Sequence, residues 1–233
     1  TAQPRPTTSL CRRSCECNPR RGRVRPAYPE AMIRTFLRPP SDLADWVADA
    51  MRALGVVSVL VALIWWTPVD AATFAVVLLG LVLPRFLGAR PALDVAFGVT
   101  LLVAGWSAVL DVYIEVRWWD LPVHFALTGL VALIVYLLLI RVGGLADPAT
   151  GHVPVWVATI LTVSFGSLGA VLWEVAEWFG HTFIDETIYV GYSDSIGDLA
   201  IGLAGAVVAG LTARYWVGAS RYLGAQTRAD ATV

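Results

Sequence analysis

The chain has 233 residues, 57% of them hydrophobic and only 15% charged, with ten tryptophans and a formal net charge of −1. That balance excludes an ordinary soluble domain and indicates an integral membrane protein. The near-neutral total hides an asymmetry: all 17 basic residues are arginines, nine of them within the first forty positions, while most of the acids lie in the central region.

In chain order, residues 1–40 read as a basic, disordered cytoplasmic tail, rich in Pro and Arg and without apolar periodicity. A basic segment ahead of a membrane span suits anionic lipid better than nucleic acid. Met32 is a candidate translation start. Cys11, Cys15 and Cys17, in "CRRSCEC", lack the paired C-x-x-C spacing of a zinc site. The membrane region holds no cysteine, so disulfides do not brace it.

Residues 41–218 read as an all-α, polytopic membrane bundle of about six helices, at 50–68, 71–88, 92–114, 121–140, 153–180 and 194–217. The connections "TPVD", "GARPA", "EVRWWD", "GGLADPATGHVP" and "HTFIDETIYVGYSD" carry turn formers. Residues 219–233 form a short cytoplasmic tail. A cleaved signal peptide is the competing reading of the first span, since "TPVDA" resembles a cleavage site, but some fifty residues precede that span. With both termini in the cytoplasm, sixteen arginines fall inside and only Arg117 outside, as the positive-inside rule expects of an even number of spans.

This topology gathers the acids at one face of the membrane. Asp111 and Glu115, Asp120 and His124, and Asp194 and Asp198 are each spaced i, i+4, while "WEVAEWFGH" puts Glu174, Glu177 and His181 on one helical face. Like charges so close repel unless a cation, a proton or an imidazole intervenes. Carboxylates and imidazoles converging from several helices build metal sites, relay protons or act as general acid and base. His124, Glu177 and Asp198, at or within the apolar boundary, are the expected core groups, joined by Glu174 as a catalytic candidate. The expected ligand set for a divalent metal is Asp120, His124, Glu174, Glu177, His181, Asp194 and Asp198. Bland readings compete: Asp120 and Asp194 are placed to cap helices, and Asp111 and Glu115 to sit solvated at the interface. His152, in a cytoplasmic loop, reads as incidental.

Trp118, Trp119, Trp173 and Trp178 fall where an aromatic belt is expected. Gly202, Ala206 and Gly210, four apart, form a small-residue ridge for helix–helix association.

Three segments carry a resemblance: "DLPVHF" with Asp120, His124 and Phe125, "EVAEW" with Glu174, Glu177 and Trp178, and "DSIGDLAIGLAGA" with Asp194 and Asp198. In this order the chain resembles the YjdF-like family of bacterial inner-membrane proteins over roughly residues 90–215. It is more loosely similar to VanZ-like membrane proteins, which share the Asp-x-x-x-His-Phe helix start and a late pair of aspartates. The resemblance implies a compact helical domain in a bacterial cytoplasmic membrane and names no reaction.

The leading functional expectation is an outward-facing metal or acid–base site acting on a lipid or cell-envelope headgroup. No G-x-S-x-G, phosphate loop or H-E-x-x-H is present to specify a hydrolase. A cation- or proton-coupled transporter is the alternative, although no charge lies near the midplane of a span and no internal repeat is evident. A noncatalytic partner of another membrane protein, held by the glycine ridge, is the third.

Overall fold

A computed structural model of the chain describes residues 28–148 and 153–218. The cysteines, His152 and the final tail lie outside the described residues. Among the described residues all regular structure is helical: α1 (Tyr28–Phe36), α2 (Leu43–Trp65), α3 (Pro68–Leu87), α4 (Pro91–Val109), α5 (Val112–Glu115), α6 (Asp120–Arg141), α7 (Val155–Phe183), α8 (Tyr192–Leu211) and α9 (Ala213–Val217). Six of these, α2, α3, α4, α6, α7 and α8, are long and apolar enough to cross a membrane.

Local chemistry sets the ends. Asp42 caps α2 by accepting from the Asp45 amide at 2.9 Å. Thr67 and Asp70 form a capping box at the start of α3, with Pro68 in the first turn, and Gly88 closes that helix at φ 60°, a left-handed conformation that glycine adopts freely. Asp111, the one described residue other than glycine at positive φ (57°), turns the chain after α4.

Three segments differ from the sequence expectation. The first span begins at Leu43 rather than 50, because Asp45 and Asp49, which look too polar for a span, are paired with Arg38 and Arg52. The third ends at Val109 rather than 114, since Asp111 breaks it and α5 is a separate single turn. The last ends at Leu211, where Thr212 turns its hydroxyl back onto the Val208 carbonyl at 2.7 Å before α9 begins. In addition, α1 forms within the stretch expected to be disordered. It is held by Phe36, whose ring stacks on Phe86 at 4.2 Å, and by Arg85, which donates to the Phe36 carbonyl at 3.1 Å.

The spans group as two consecutive triplets, α2–α3–α4 and α6–α7–α8, joined mainly where α4 meets α6. The second triplet packs closely through small residues. A Cβ on Gly205 would collide with the Phe125 carbonyl of α6, and one on Gly202 would lie 2.7 Å from the Thr128 hydroxyl. Gly166 of α7 faces Ala206, and Gly210 faces Thr159. The Gly202, Ala206 and Gly210 ridge is therefore buried between α6 and α7 of the same chain, which removes it as a surface for holding another protein.

At one end of the bundle the first triplet is tied by ion pairs. Arg52 of α2 grips both oxygens of Asp94 of α4 at 2.6 and 2.7 Å, donates to the Leu81 carbonyl of α3 at 3.0 Å, and meets Asp49 at 3.0 Å. Arg85 reaches Asp49 at 2.8 Å, and Arg38 pairs with Asp45 at 3.1 Å.

A candidate cation site at the acid end

The opposite end of the bundle holds the acids. Asp120 is the first residue of α6, where unpaired amides at the helix start favour a negative charge. One turn on, the His124 Nε2 lies 3.3 Å from the Asp120 carboxylate. Asp198, in the second turn of α8, is 3% exposed. Donor atoms of Asp120, His124 and Asp198 all lie within 4.8 Å of one another. The close approach of α6 to α8 at Gly202 and Gly205 brings these two helix starts together. Neither Asp120 nor Asp194 caps its helix: the cap positions are Trp119 and Gly191, without a side-chain cap bond.

The other expected residues sit around this core at different ranges. Glu177 and Glu174 of α7 are half-buried. Glu177 lies within electrostatic reach of Glu174, His124 and Asp120, and beside Trp173. Asp194 is likewise within reach of Asp120, Glu174 and His124. The compact three-residue group nevertheless excludes Glu174, Glu177 and Asp194. His181 is engaged elsewhere: its Nδ1 lies 2.6 Å from the Ile188 carbonyl, which ties the end of α7 to the connection leading into α8. Asp111 and Glu115 are exposed, Asp111 preceding α5 and Glu115 ending it, and so do not share one continuous helix with α4. Trp118, Trp173 and Trp178 are exposed at this same end, while Trp119 turns inward and donates to the Ser107 hydroxyl at 2.9 Å.

One group escaped the sequence reading. Tyr113, on α5 and outside the spans, points its phenol back into the bundle and donates to the Ala104 carbonyl at 3.3 Å. Burial pushes that phenol well above its usual range, and the carboxylates of Asp120, Glu177 and Asp198 push it further. Tyr113, on α5 between the two triplets, thus holds a phenol bonded to α4 within electrostatic reach of Asp120, Glu177 and Asp198. Only the break at Asp111 turns it inward. Had the third span run on to 114, Tyr113 would have been one more aromatic at the boundary.

Chemically, two carboxylates and an imidazole converging at one depth suit a divalent cation of borderline character, such as Mn, Zn or Fe. Two ligands sharing an ion at about 2.1 Å each stand roughly 3 Å apart, so the Asp120–His124 separation of 3.3 Å fits a shared ion as well as a direct contact.

Comparison with known proteins gives a family described as "Predicted membrane protein (DUF2238)", matched over residues 31–219. No curated protein and no solved structure matches the chain.

Proposed function

The chain belongs to this family of membrane proteins, and on that premise we propose that it binds one divalent cation at the arginine-poor end of its bundle, through Asp120, His124 and Asp198. The convergence of these three donors from two helices carries the reading. Three protein ligands leave coordination positions open to water or to a substrate oxygen, as in catalytic rather than structural sites. A divalent ion there would supply Lewis acidity and ease deprotonation of a bound water. Glu177, within reach of His124 and outside the compact group, is then placed to accept or return a proton, with Glu174 beside it. The depth of the site, among exposed tryptophans at the edge of the apolar spans, suits the headgroup of a lipid or cell-envelope precursor.

The site is assigned to the extracytoplasmic side of a bacterial cytoplasmic membrane. Of the arginines on described residues, only Arg117 lies at its end, while Arg34, Arg38, Arg52, Arg85, Arg90, Arg141 and Arg214 lie at the other. A cation carrier is the second reading, favoured by the burial of Asp198.

Elemental analysis and calorimetric titration of the purified protein with Mn, Zn, Mg and Ca test the proposal. Asp198→Asn and His124→Gln should each weaken binding at least about tenfold. If no cation binds the parent, or both variants bind like it, the site is a solvated vestibule. Flux in proteoliposomes separates the carrier from the enzyme.

A further inference from the structure

The acid end holds more negative charge than one divalent ion matches. The carboxylates of Asp120 and Asp198 together offset such an ion, and His124 is neutral when it serves as a ligand. Glu174, Glu177 and Asp194 lie outside that compact group, so their charge is left over. The strongest charged neighbours of Glu177, Asp194 and Asp198 are Asp120, Glu174, Asp194 and the His124 imidazole, with no arginine among them. Asp198 itself is 3% exposed and turned into the group, yet it accepts no hydrogen bond from the described residues. A carboxylate so deeply buried ordinarily has donors, so this one faces a ligand that the chain does not supply.

Two tryptophans say what kind of positive charge completes the set. Trp178 lies one turn on from Glu174 on the same face of α7, and Trp173 stands one turn before Glu177. Trp173 is also a hydrogen-bond neighbour of the Glu177 carboxylate. Both indoles are exposed, at 45% for Trp173 and 52% for Trp178. Glu174 interacts in turn with Asp194 of α8. A carboxylate pair with an indole beside it recognises an organic ammonium, whose N–H groups meet the carboxylates while its charge is drawn to the ring face. A metal ion gains nothing from the indoles, and an anionic headgroup meets three unmatched acids.

We propose that the compound taken by this site carries a protonated amine beside a phosphate, as in phosphatidylethanolamine. Glu174 and Asp194, with Trp178 on the face of Glu174, hold the ammonium, and the ion at Asp120, His124 and Asp198 meets a phosphate oxygen. This rests on the reading of the acid end as a cation-dependent headgroup site and names its substrate class.

The full chain in detergent is titrated by calorimetry, with and without Mn, against dihexanoyl phosphatidylethanolamine, the same lipid N-acetylated, and dihexanoyl phosphatidylglycerol. N-acetylation removes the positive charge and leaves the phosphate. The amine lipid should bind at least about tenfold tighter than either of the others. Glycerophosphoethanolamine, which lacks acyl chains, should bind more weakly than the lipid; equal affinity would support the same recognition of a free amine compound. Glu174→Gln combined with Asp194→Asn should cut the preference to less than about threefold, with Mn affinity changed by less than that preference. Trp178→Leu keeps every carboxylate and should cost about threefold for the amine lipid and nothing for its N-acetyl form. Equal binding of the three lipids, or tighter binding of phosphatidylglycerol, would overturn the proposal, as would a preference that both variants retain. Mn binding without the preference would leave the cation site standing and remove the ammonium site. The preference in a protein that binds no Mn would do the reverse.

Discussion

The two ends of the bundle solve the same electrostatic problem in opposite ways. At the arginine end, Asp45, Asp49 and Asp94 each meet a guanidinium at 3.1 Å or less, and Asp94, only 8% exposed, is gripped through both oxygens. At the acid end, Asp120, Glu174, Glu177, Asp194 and Asp198 gather around the single imidazole of His124, because His181 faces a backbone carbonyl and Arg117 is exposed. A buried carboxylate with its own guanidinium is a finished structural element. Several carboxylates around one imidazole are neutralised only when something else arrives, and the proposed cation site at the second end rests on that contrast.

The contrast is most sharply broken by removing one charge from each end. Arg52→Ala leaves Asp94 buried and unpaired and should lower unfolding stability in detergent by about 3 kcal/mol or more. Asp198→Asn relieves repulsion and should leave the cation-free protein as stable as the parent. If Asp198→Asn costs as much as Arg52→Ala, the acid end is structural and the comparison fails.

Next in size is Gly205→Val, whose side chain must displace the Phe125 backbone. We expect a loss of about 1–3 kcal/mol, together with weaker cation binding, since separating α6 from α8 parts Asp198 from Asp120 and His124. Titration with Mn at fixed pH, beside a thermal melt, reads both effects.

Cation affinity itself should fall as pH is lowered, because carboxylates and imidazole bind metal only when deprotonated. Asp111→Asn and Glu115→Gln, which alter exposed acids outside the cluster, should leave affinity within about a factor of two, equivalent to less than 0.5 kcal/mol. An Asp111→Asn protein that loses binding would move the site outward onto α5.

The smallest effect concerns an acid satisfied on the spot. Asp185 accepts from the Thr187 amide at 2.9 Å and from its hydroxyl at 2.7 Å, and these bonds hold its carboxyl below the usual range. A depressed carboxyl contributes while ionised and loses its contribution as pH falls through its lowered value. Protection of the Thr187 amide from hydrogen exchange should therefore persist to unusually acid pH and be indifferent to added cation.

The six spans were legible because lipid-facing helices need long apolar runs, and hydropathy reports those directly. The ion-paired knot was not. Asp45 and Asp49 read as lying ahead of the first span and Arg52 as a cytoplasmic arginine at its start, since nothing in a linear pattern shows that Asp94, forty-two residues after Arg52, will close on it. The same limit hid Tyr113, whose inward turn depends on one backbone conformation at Asp111. The acids at the helix ends were legible as a set, because topology alone brings those ends to one face. How near each comes to its neighbours depends on the depth to which α6 and α8 interlock. The glycines of α8 hinted at close packing without saying against what.

The division into consecutive triplets also sets an order of assembly during synthesis. The first triplet holds all of its own ion-pair partners, so its charges can be matched as soon as α4 has entered the bilayer. Asp120 and His124 enter with α6, yet their third companion, Asp198, comes with α8, the sixth of the described spans. A chain arrested in the connection before α8 would therefore hold the ion pairs of Asp45, Asp49 and Asp94 while its acid end still lacked Asp198, and under the proposed function cation binding would report that α8 had joined the bundle.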